Sequence, residues 1–142
     1  MLSRLLDLFV APTLDVSAHC DLPCGVYDPG QARFEAESIK NTIKKVADNP
    51  DPDFRVRAIL IKEQRAEAVK RHLCVLWTDY FKQPHFEKYP HLHTLFNEAT
   101  KLAGASGAKG TFDPDVADQL LARIDEIAVI FAETKQAAAA AA

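Results

Sequence analysis

The chain has 142 residues, of which 48% are hydrophobic and 26% are charged, and its formal net charge is -3 at pH 7. This composition is typical of one globular domain and excludes a wholly disordered or collagen-like chain. The weak negative charge argues against a nucleic-acid partner, and the sequence lacks the ~20 mostly apolar residues that a membrane-spanning helix needs.

Residues 1–18 are interpreted as a removable leader. They contain one basic residue, Arg4, then a short apolar run, and they end on the small residues Ser17 and Ala18. Small residues before a cleavage point are typical of processed leaders. The alternatives are a frayed N-terminal arm or a short amphipathic helix, and the apolar run is weak for an export signal.

Four segments show the apolar spacing of an α-helix, with steps of three and four residues. The first is predicted to start at Asp28-Pro29 and to end before Pro50. The second is predicted to be capped by Asp53 and to persist to about Phe81. The predicted buried stripe of the first helix is Ala32, Ala36, Ile39, Ile43 and Val46. That of the second is Ile59, Ala66, Val69, Leu73, Leu76 and Tyr80.

The third and fourth helices lie in the second half of the chain. The third is predicted over residues 92–103, ending at Gly104 and Gly107. The fourth begins at Asp113-Pro114, and the alanines at 137–142 are able to extend it because alanine has the highest helix propensity. The third stripe is Leu92, Leu95, Phe96, Ala99, Leu102 and Ala103, and the fourth is Ala117, Leu120, Leu121, Ile124, Ile127, Ala128 and Phe131.

No segment alternates apolar and polar residues as a half-buried strand would. The predicted fold class is therefore all-α. Four amphipathic helices with short connections indicate an antiparallel up-and-down four-helix bundle over about residues 29–136. A short N-terminal hook with candidate metal-binding residues precedes this bundle.

The residues with the clearest potential for chemistry lie just before the first helix, where residues 19–29 read HCDLPCGVYDP. His19, Cys20 and Cys24 are able to hold a metal ion, and Gly25 permits a tight bend. The spacing alone leaves metal binding and two incidental thiols equally open, because a structural zinc site needs four ligands. A thiol-redox function is weaker, since the spacing is not Cys-x-x-Cys.

These eleven residues resemble the nickel hook of nickel-containing superoxide dismutases, and the similarity extends from His19 almost to the end of the chain. The other similar segments are QAR at 31–33, EAES at 35–38, IKEQRAE at 61–67, VLW at 75–77, DYFK at 79–82, PHFEKYP at 84–90, Phe131 and ETK at 133–135. The resemblance implies a hook formed by residues 19–27 within a domain of residues 19–142. It also implies an antioxidant enzyme with one nickel ion per subunit, assembled as a homohexamer. A cytoplasmic location is expected because free thiols persist in a reducing compartment.

The resemblance further implies a mechanism that depends on cleavage. A processing protease would cut between Ala18 and His19, exposing the amine of His19. This amine, the Cys20 amide nitrogen and the thiolates of Cys20 and Cys24 would form a square plane that suits Ni(II), with the His19 imidazole axial in the oxidised state. A Ni(II)/Ni(III) cycle would then convert superoxide into dioxygen and hydrogen peroxide. The alternative is a non-catalytic helical module that binds a metal or a partner through the Cys20/Cys24 hook.

The same resemblance assigns further residues to the site. Tyr27 is expected over the open face of the metal, as a catalytic residue that gates access of small anions. Glu35 and Arg65 are expected to orient the axial imidazole, although such a pair is otherwise an ordinary surface ion pair. Three more residues are expected to shape the hook or to lie at the site entrance: Asp21, Tyr80 and Lys82.

The remaining histidines and the third cysteine are interpreted as structural. A second metal site at His85, His91 and His93 is not expected, because the sequence around them resembles a structural connection of the family. Cys74 is expected to be a buried small thiol. Trp77 is expected in the core or in a subunit interface.

Overall fold

The structure is a computed structural model that describes residues 25–140. Its helices, numbered in chain order, are α1 Gly30–Asp48, α2 Pro52–Val75, α3 Gln83–Lys88, α4 Leu92–Leu102 and α5 Pro114–Ala140. A π-helical turn, Leu76–Tyr80, continues α2. No strand occurs between residues 25 and 140. The four predicted helices are confirmed, and the short helix α3 lies in what the sequence indicates only as a connection.

The four long helices form a closed ring. α1 packs against α2 and α5, and α4 packs against the same two helices. Because each long helix contacts the next one along the chain, the chain runs up and down through the ring. This arrangement is the predicted antiparallel four-helix bundle.

The apolar stripes of α1, α4 and α5 form the core as predicted. All five stripe residues of α1 are buried, and so is the centre of the stripe on α4 and on α5. The residues at the edges of these stripes are half-buried: Leu102, Leu121, Ala128 and Phe131. The helical period of the sequence therefore identifies the inward faces of three helices.

The first two turns of α2 differ from the prediction. Its N-cap is Asp51, whose carboxylate accepts the backbone N–H of Asp53 at 3.0 Å, so the cap is not Asp53 itself. Ile59 is 38% exposed rather than buried. The buried positions are Ala58 and Lys62. The prediction is wrong here because a lysine occupies a core position, which breaks the apolar pattern.

The ammonium group of Lys62 is stabilised by the loop between α4 and α5. Lys62 is 1% exposed and donates hydrogen bonds to the backbone carbonyls of Ala108 and Lys109. It also lies 3.1 Å from the Glu63 carboxylate and 5.0 Å from the centre of the Phe112 ring. A buried charge needs such partners to offset the loss of its hydration. Lys62 therefore anchors the loop that leads into α5.

The remaining features of the bundle agree with the sequence. Cys74 is a free thiol, although it is half-buried rather than fully buried. Trp77 stacks on the buried ring of Phe96, with centroids 5.7 Å apart, so it belongs to the edge of the core. α5 continues through the alanine run to Ala140. Within the described range, no helix combines the length and apolar character needed to cross a bilayer.

Candidate metal centre

The structure describes the helical bundle that follows the hook and only the last residues of the hook itself. Four of the predicted site residues lie outside the described residues: His19, Cys20, Asp21 and Cys24. The description begins at Gly25, so the last three residues of the hook are included. The other predicted site residues can be placed in the fold.

The chain bends sharply between the hook and α1. Gly25 has a φ of +72°, in the left-handed region that glycine adopts without a steric penalty. Asp28 accepts the backbone N–H of Gly30 at 2.7 Å, and Pro29 is buried just ahead of the helix. The helix starts one residue later than the predicted cap at Asp28 implies, because its N-cap is Pro29, without a side-chain cap hydrogen bond, and its first residue is Gly30. These contacts determine where the hook joins the bundle.

An open cavity of about 290 Å³ lies at this junction. It is lined by the end of the hook, by the residues around the π-turn and α3, and by the last turns of α5. We call it the aromatic–lysine cavity, and its functional side chains are Tyr27, Asp79, Tyr80, Lys82, His85, Thr134 and Lys135. Three of the predicted site residues therefore meet here: Tyr80, Lys82 and Tyr27, which is more than 50 positions from the other two in sequence.

The π-turn determines how its last residue faces the cavity. The backbone N–H of Phe81 donates to the carbonyl of Leu76 at 3.0 Å, which is the five-residue spacing of a π-helix. Phe81 is 2% exposed and packs in the core. Tyr80, its neighbour, lines the cavity instead. The wider turn thus separates a core aromatic residue from a cavity aromatic residue at adjacent positions.

The positive charge of the cavity comes from its lysines. Burial lowers the pKa of His85, and the nearby charges of Lys82 and Lys88 lower it further. The backbone N–H of Lys82 donates to Nδ1 of His85 at 3.1 Å, which requires that nitrogen to be unprotonated. His85 is therefore neutral at pH 7. The cavity is lined by two lysines, Lys82 and Lys135, and by one carboxylate, Asp79. This excess of positive charge favours the approach of a small anion.

Glu35 and Arg65 form the predicted pair between α1 and α2. One guanidinium nitrogen of Arg65 donates to both carboxylate oxygens of Glu35, at 3.0 and 3.2 Å. The Glu35 side chain is 15% exposed, whereas that of Glu37, which pairs with Arg33, is 45% exposed. The ion pair is confirmed. It does not line the aromatic–lysine cavity. The described site residues therefore form two groups, the Glu35–Arg65 ion pair and the residues of the cavity.

Sequence reasoning misses four functional side chains of the cavity: Asp79 and His85 near the π-turn, and Thr134 and Lys135 on α5. The two on α5 are the more distant in sequence. Both belong to the ETK segment at 133–135, which contributes to the resemblance without a stated role. Thr134 is 5% exposed and continues the buried face of α5 after Ile127 and Ile130. A polar residue at a buried position indicates a hydrogen-bond partner inside the protein. The sequence alone contains this signal, because Thr134 follows Ile127 and Ile130 at helical spacing on the buried face.

The two histidines at the start of α4, His91 and His93, have separate partners. His91 lies 3.5 Å from Glu126. His93 accepts a hydrogen bond from the indole of Trp77 at 3.0 Å and stacks on Phe86, with centroids 3.8 Å apart. Among residues 25–140, no three His, Cys, Asp or Glu side chains are grouped so that they could hold a metal ion.

Known proteins match this chain over most of its length. A family model described as nickel-containing superoxide dismutase matches residues 14–135. The proteins named superoxide dismutase [Ni] from Streptomyces coelicolor and Streptomyces seoulensis are 58% and 59% identical to it over 137 residues, which is 96% of this chain and 100% of each relative.

Solved structures of nickel superoxide dismutases also match this chain. A native nickel superoxide dismutase structure at 1.30 Å has a TM-score of 0.80 and 58% identity, covering 83% of this chain and 99% of that one. A crystal structure with nickel ligation corresponding to the oxidised state has the same TM-score and coverage at 59% identity. The extent of these matches and their identity leave one conclusion: the chain belongs to the nickel-containing superoxide dismutase family.

Proposed function

We propose that this chain disproportionates superoxide to dioxygen and hydrogen peroxide at a nickel ion held by His19, Cys20 and Cys24. The observation that carries this assignment of the site is the aromatic–lysine cavity, which brings Tyr27, Tyr80 and Lys82 together directly beside the end of the hook. The alternative of a non-catalytic metal-binding module is not favoured, because the relatives that match over their full length are superoxide dismutases.

The donor set of the hook fits nickel. The thiolates of Cys20 and Cys24, with nitrogen donors from His19 and from the Cys20 amide, suit the square-planar geometry of Ni(II). When bound, nickel supplies the one-electron oxidation and reduction of superoxide. The residues of the chain supply the approach path, the orientation of the ligands and the control of water.

The aromatic–lysine cavity is the proposed approach path. Superoxide is a small anion, so Lys82 and Lys135 raise its concentration at the mouth of the cavity. Tyr27 is half-buried and packs against Tyr80, with ring centroids 5.5 Å apart. Because Tyr27 belongs both to the hook and to the cavity wall, it is the residue best placed to gate anion access and to hold water near the metal.

Glu35 and Arg65 are proposed to hold the His19 imidazole in position, with Asp21 shaping the hook around it. A carboxylate that orients a ligand histidine is a common device in metal sites. The low exposure of Glu35 supports this role, since a merely solvated carboxylate would resemble Glu37 in exposure.

A matched pair of variants tests this role. Glu35→Gln is expected to lower the turnover of the nickel-loaded protein by about tenfold, the effect typical of a lost partner of a metal ligand. Glu37→Gln removes a carboxylate from the same helix, and it is expected to have no measurable effect because its ion pair is exposed. Turnover is measured by stopped-flow loss of superoxide. Equal rates in the two variants would exclude an orienting role for Glu35.

Residues 1–18 are proposed to be a leader that a protease removes, leaving residues 19–142 as the mature domain. The small residues Ser17 and Ala18, which lie directly before His19, support this.

We propose a homohexamer as the assembled state and the cytoplasm as its compartment. Large apolar side chains on α1 and α2 are exposed in the single chain: Phe34 is 72% exposed, Leu60 60% and Val56 59%. Val56 and Leu60 are four residues apart on one face of α2. Exposed apolar neighbours of this kind are typical of protein interfaces, which supports contact between copies. The reducing cytoplasm would keep the hook thiols free.

Metal loading tests the proposed function directly. The chain that begins at His19, loaded with nickel, is expected to consume superoxide catalytically and to show a rhombic Ni(III) electron paramagnetic resonance signal. The same chain loaded with zinc, which has no redox chemistry, is expected to be inactive. Superoxide loss at equal rates with the two metals would contradict a redox cycle at the hook.

A further inference from the structure

The ring of Tyr80 is enclosed by neighbours that leave it little freedom to move. Its centroid is 4.5 Å from that of Phe131, 4.9 Å from that of Phe81 and 5.8 Å from that of His85, which stacks on it. The ammonium nitrogen of Lys135 lies 5.2 Å from the same centroid. With the ring held in this way, the hydrogen of its hydroxyl group is the main variable that remains.

Thr134 settles the direction of that hydrogen. Its Oγ1 lies 2.7 Å from the backbone carbonyl oxygen of Phe131 and 2.7 Å from the hydroxyl oxygen of Tyr80. A carbonyl oxygen only accepts, so the single hydroxyl proton of Thr134 is donated to Phe131. The second contact therefore has the Tyr80 hydroxyl as donor and Thr134 Oγ1 as acceptor.

We propose that Thr134 is a positioning residue, which holds Tyr80 so that its hydroxyl oxygen acts as an acceptor toward the aromatic–lysine cavity. The proton of Tyr80 points at α5, and its lone pairs are left for donors in the cavity. Thr134 is 5% exposed, so water does not readily replace it as the partner. The inference concerns a residue 54 positions from Tyr80 that the predicted site does not include.

The assignment limits what Tyr80 can do in the reaction. Superoxide accepts hydrogen bonds, and a phenol whose proton is already donated to Thr134 has none for an incoming anion. Tyr80 instead orients a donor, such as a water molecule or the ammonium of Lys82. The proton donors to the reduced substrate are then water and the cationic side chains of the cavity. This consequence rests on the proposed function, whereas the direction of the hydrogen bond does not.

Raman spectroscopy of the nickel-free chain tests the hydrogen-bond direction without any activity. The intensity ratio of the tyrosine Fermi doublet is low when the phenol only donates, intermediate when it both donates and accepts, and high when it only accepts. The chain has three tyrosines, so the difference between the native chain and Tyr80→Phe isolates Tyr80. An intermediate ratio is expected in the native chain and in Thr134→Ser, because Tyr80 donates to Thr134 and accepts from the cavity, and a high ratio is expected in Thr134→Val. A low or a high ratio in the native chain, or no change in Thr134→Val, would overturn the proposal.

A double-mutant cycle on the nickel-loaded chain tests the role in turnover. Thr134→Val is expected to reduce turnover about fivefold, the factor of one ordinary hydrogen bond, and Thr134→Ser to restore it. In a Tyr80→Phe background, Thr134→Val is expected to have no further effect, because Thr134 acts through the missing hydroxyl. The same fold-loss in both backgrounds would show that Thr134 acts independently of the Tyr80 hydroxyl and would overturn the positioning role. If the nickel-loaded native chain were inactive, the proposed function would fail while the Raman result still decided the hydrogen bond.

Discussion

Serine in place of Cys20 or Cys24 is expected to abolish nickel binding and superoxide consumption together. A serine hydroxyl is a hard donor that stays protonated at neutral pH, whereas a cysteine thiolate is the soft donor that stabilises this kind of site. The bundle should remain folded, since the described core begins at Ala32, beyond the hook. Nickel content by elemental analysis, turnover and thermal unfolding are the measurements.

Cys74→Ser is the matched control for these variants. Cys74 is the free cysteine on α2, it is half-buried, and it does not line the aromatic–lysine cavity. The variant is expected to bind one nickel ion per chain and to turn over normally, with at most a small loss of stability. Nickel binding that survived in Cys20→Ser and Cys24→Ser, or that was lost equally in Cys74→Ser, would refute the ligand assignment.

The chain that retains residues 1–18 is expected to be inactive even when nickel is supplied. In the uncut chain the backbone nitrogen of His19 is an amide joined to Ala18, so the primary amine that would serve as a nickel ligand under the proposed mechanism does not exist. The full chain and the chain that begins at His19 would be loaded under identical conditions. The full chain is expected to lack both superoxide turnover and the rhombic Ni(III) signal.

A chain that begins at Ala18 separates the chemistry of the amine from the bulk of the leader. It carries a free amine, but that amine is one residue too far away to form a five-membered ring with the Cys20 amide. We therefore expect it to be as inactive as the full chain. Full activity of the chain that begins at Met1 would contradict the amine-ligand mechanism, and activity of the Ala18 chain alone would show that the leader acts only by steric exclusion.

The helical period predicts most of the fold because it reports burial directly. The stripes of α1 and α5 have no interruption, and their inward faces are confirmed. The prediction fails at the start of α2, where a lysine occupies a core position. The ammonium group of Lys62 is stabilised there by hydrogen bonds to backbone carbonyls of a loop about 46 residues away in sequence, and the helical period gives no sign of such contacts. α3 is missed for a different reason: six residues are too few to show a period.

The candidate site depends more on resemblance than on pattern. The pairing of Glu35 with Arg65 and the meeting of Tyr27 with Tyr80 are present in the structure, but no spacing rule places these residues together. The direction of the Tyr80 hydrogen bond needs the coordinates of Thr134 and Phe131 at once. Roles that depend on such long-range contacts lie beyond what periodicity can indicate.

The π-turn at Leu76–Tyr80 has a consequence for how this protein can change over evolution. A π-turn contains one residue more than the α-helical turn it replaces, so the register of α2 is reset where the bundle stops and the cavity begins. Substitutions after the reset alter the chemistry around Tyr80 without shifting the stripe that ends at Leu76. Substitutions at the entrance of the site are thus expected to change its chemistry at little cost to the packing of the helices.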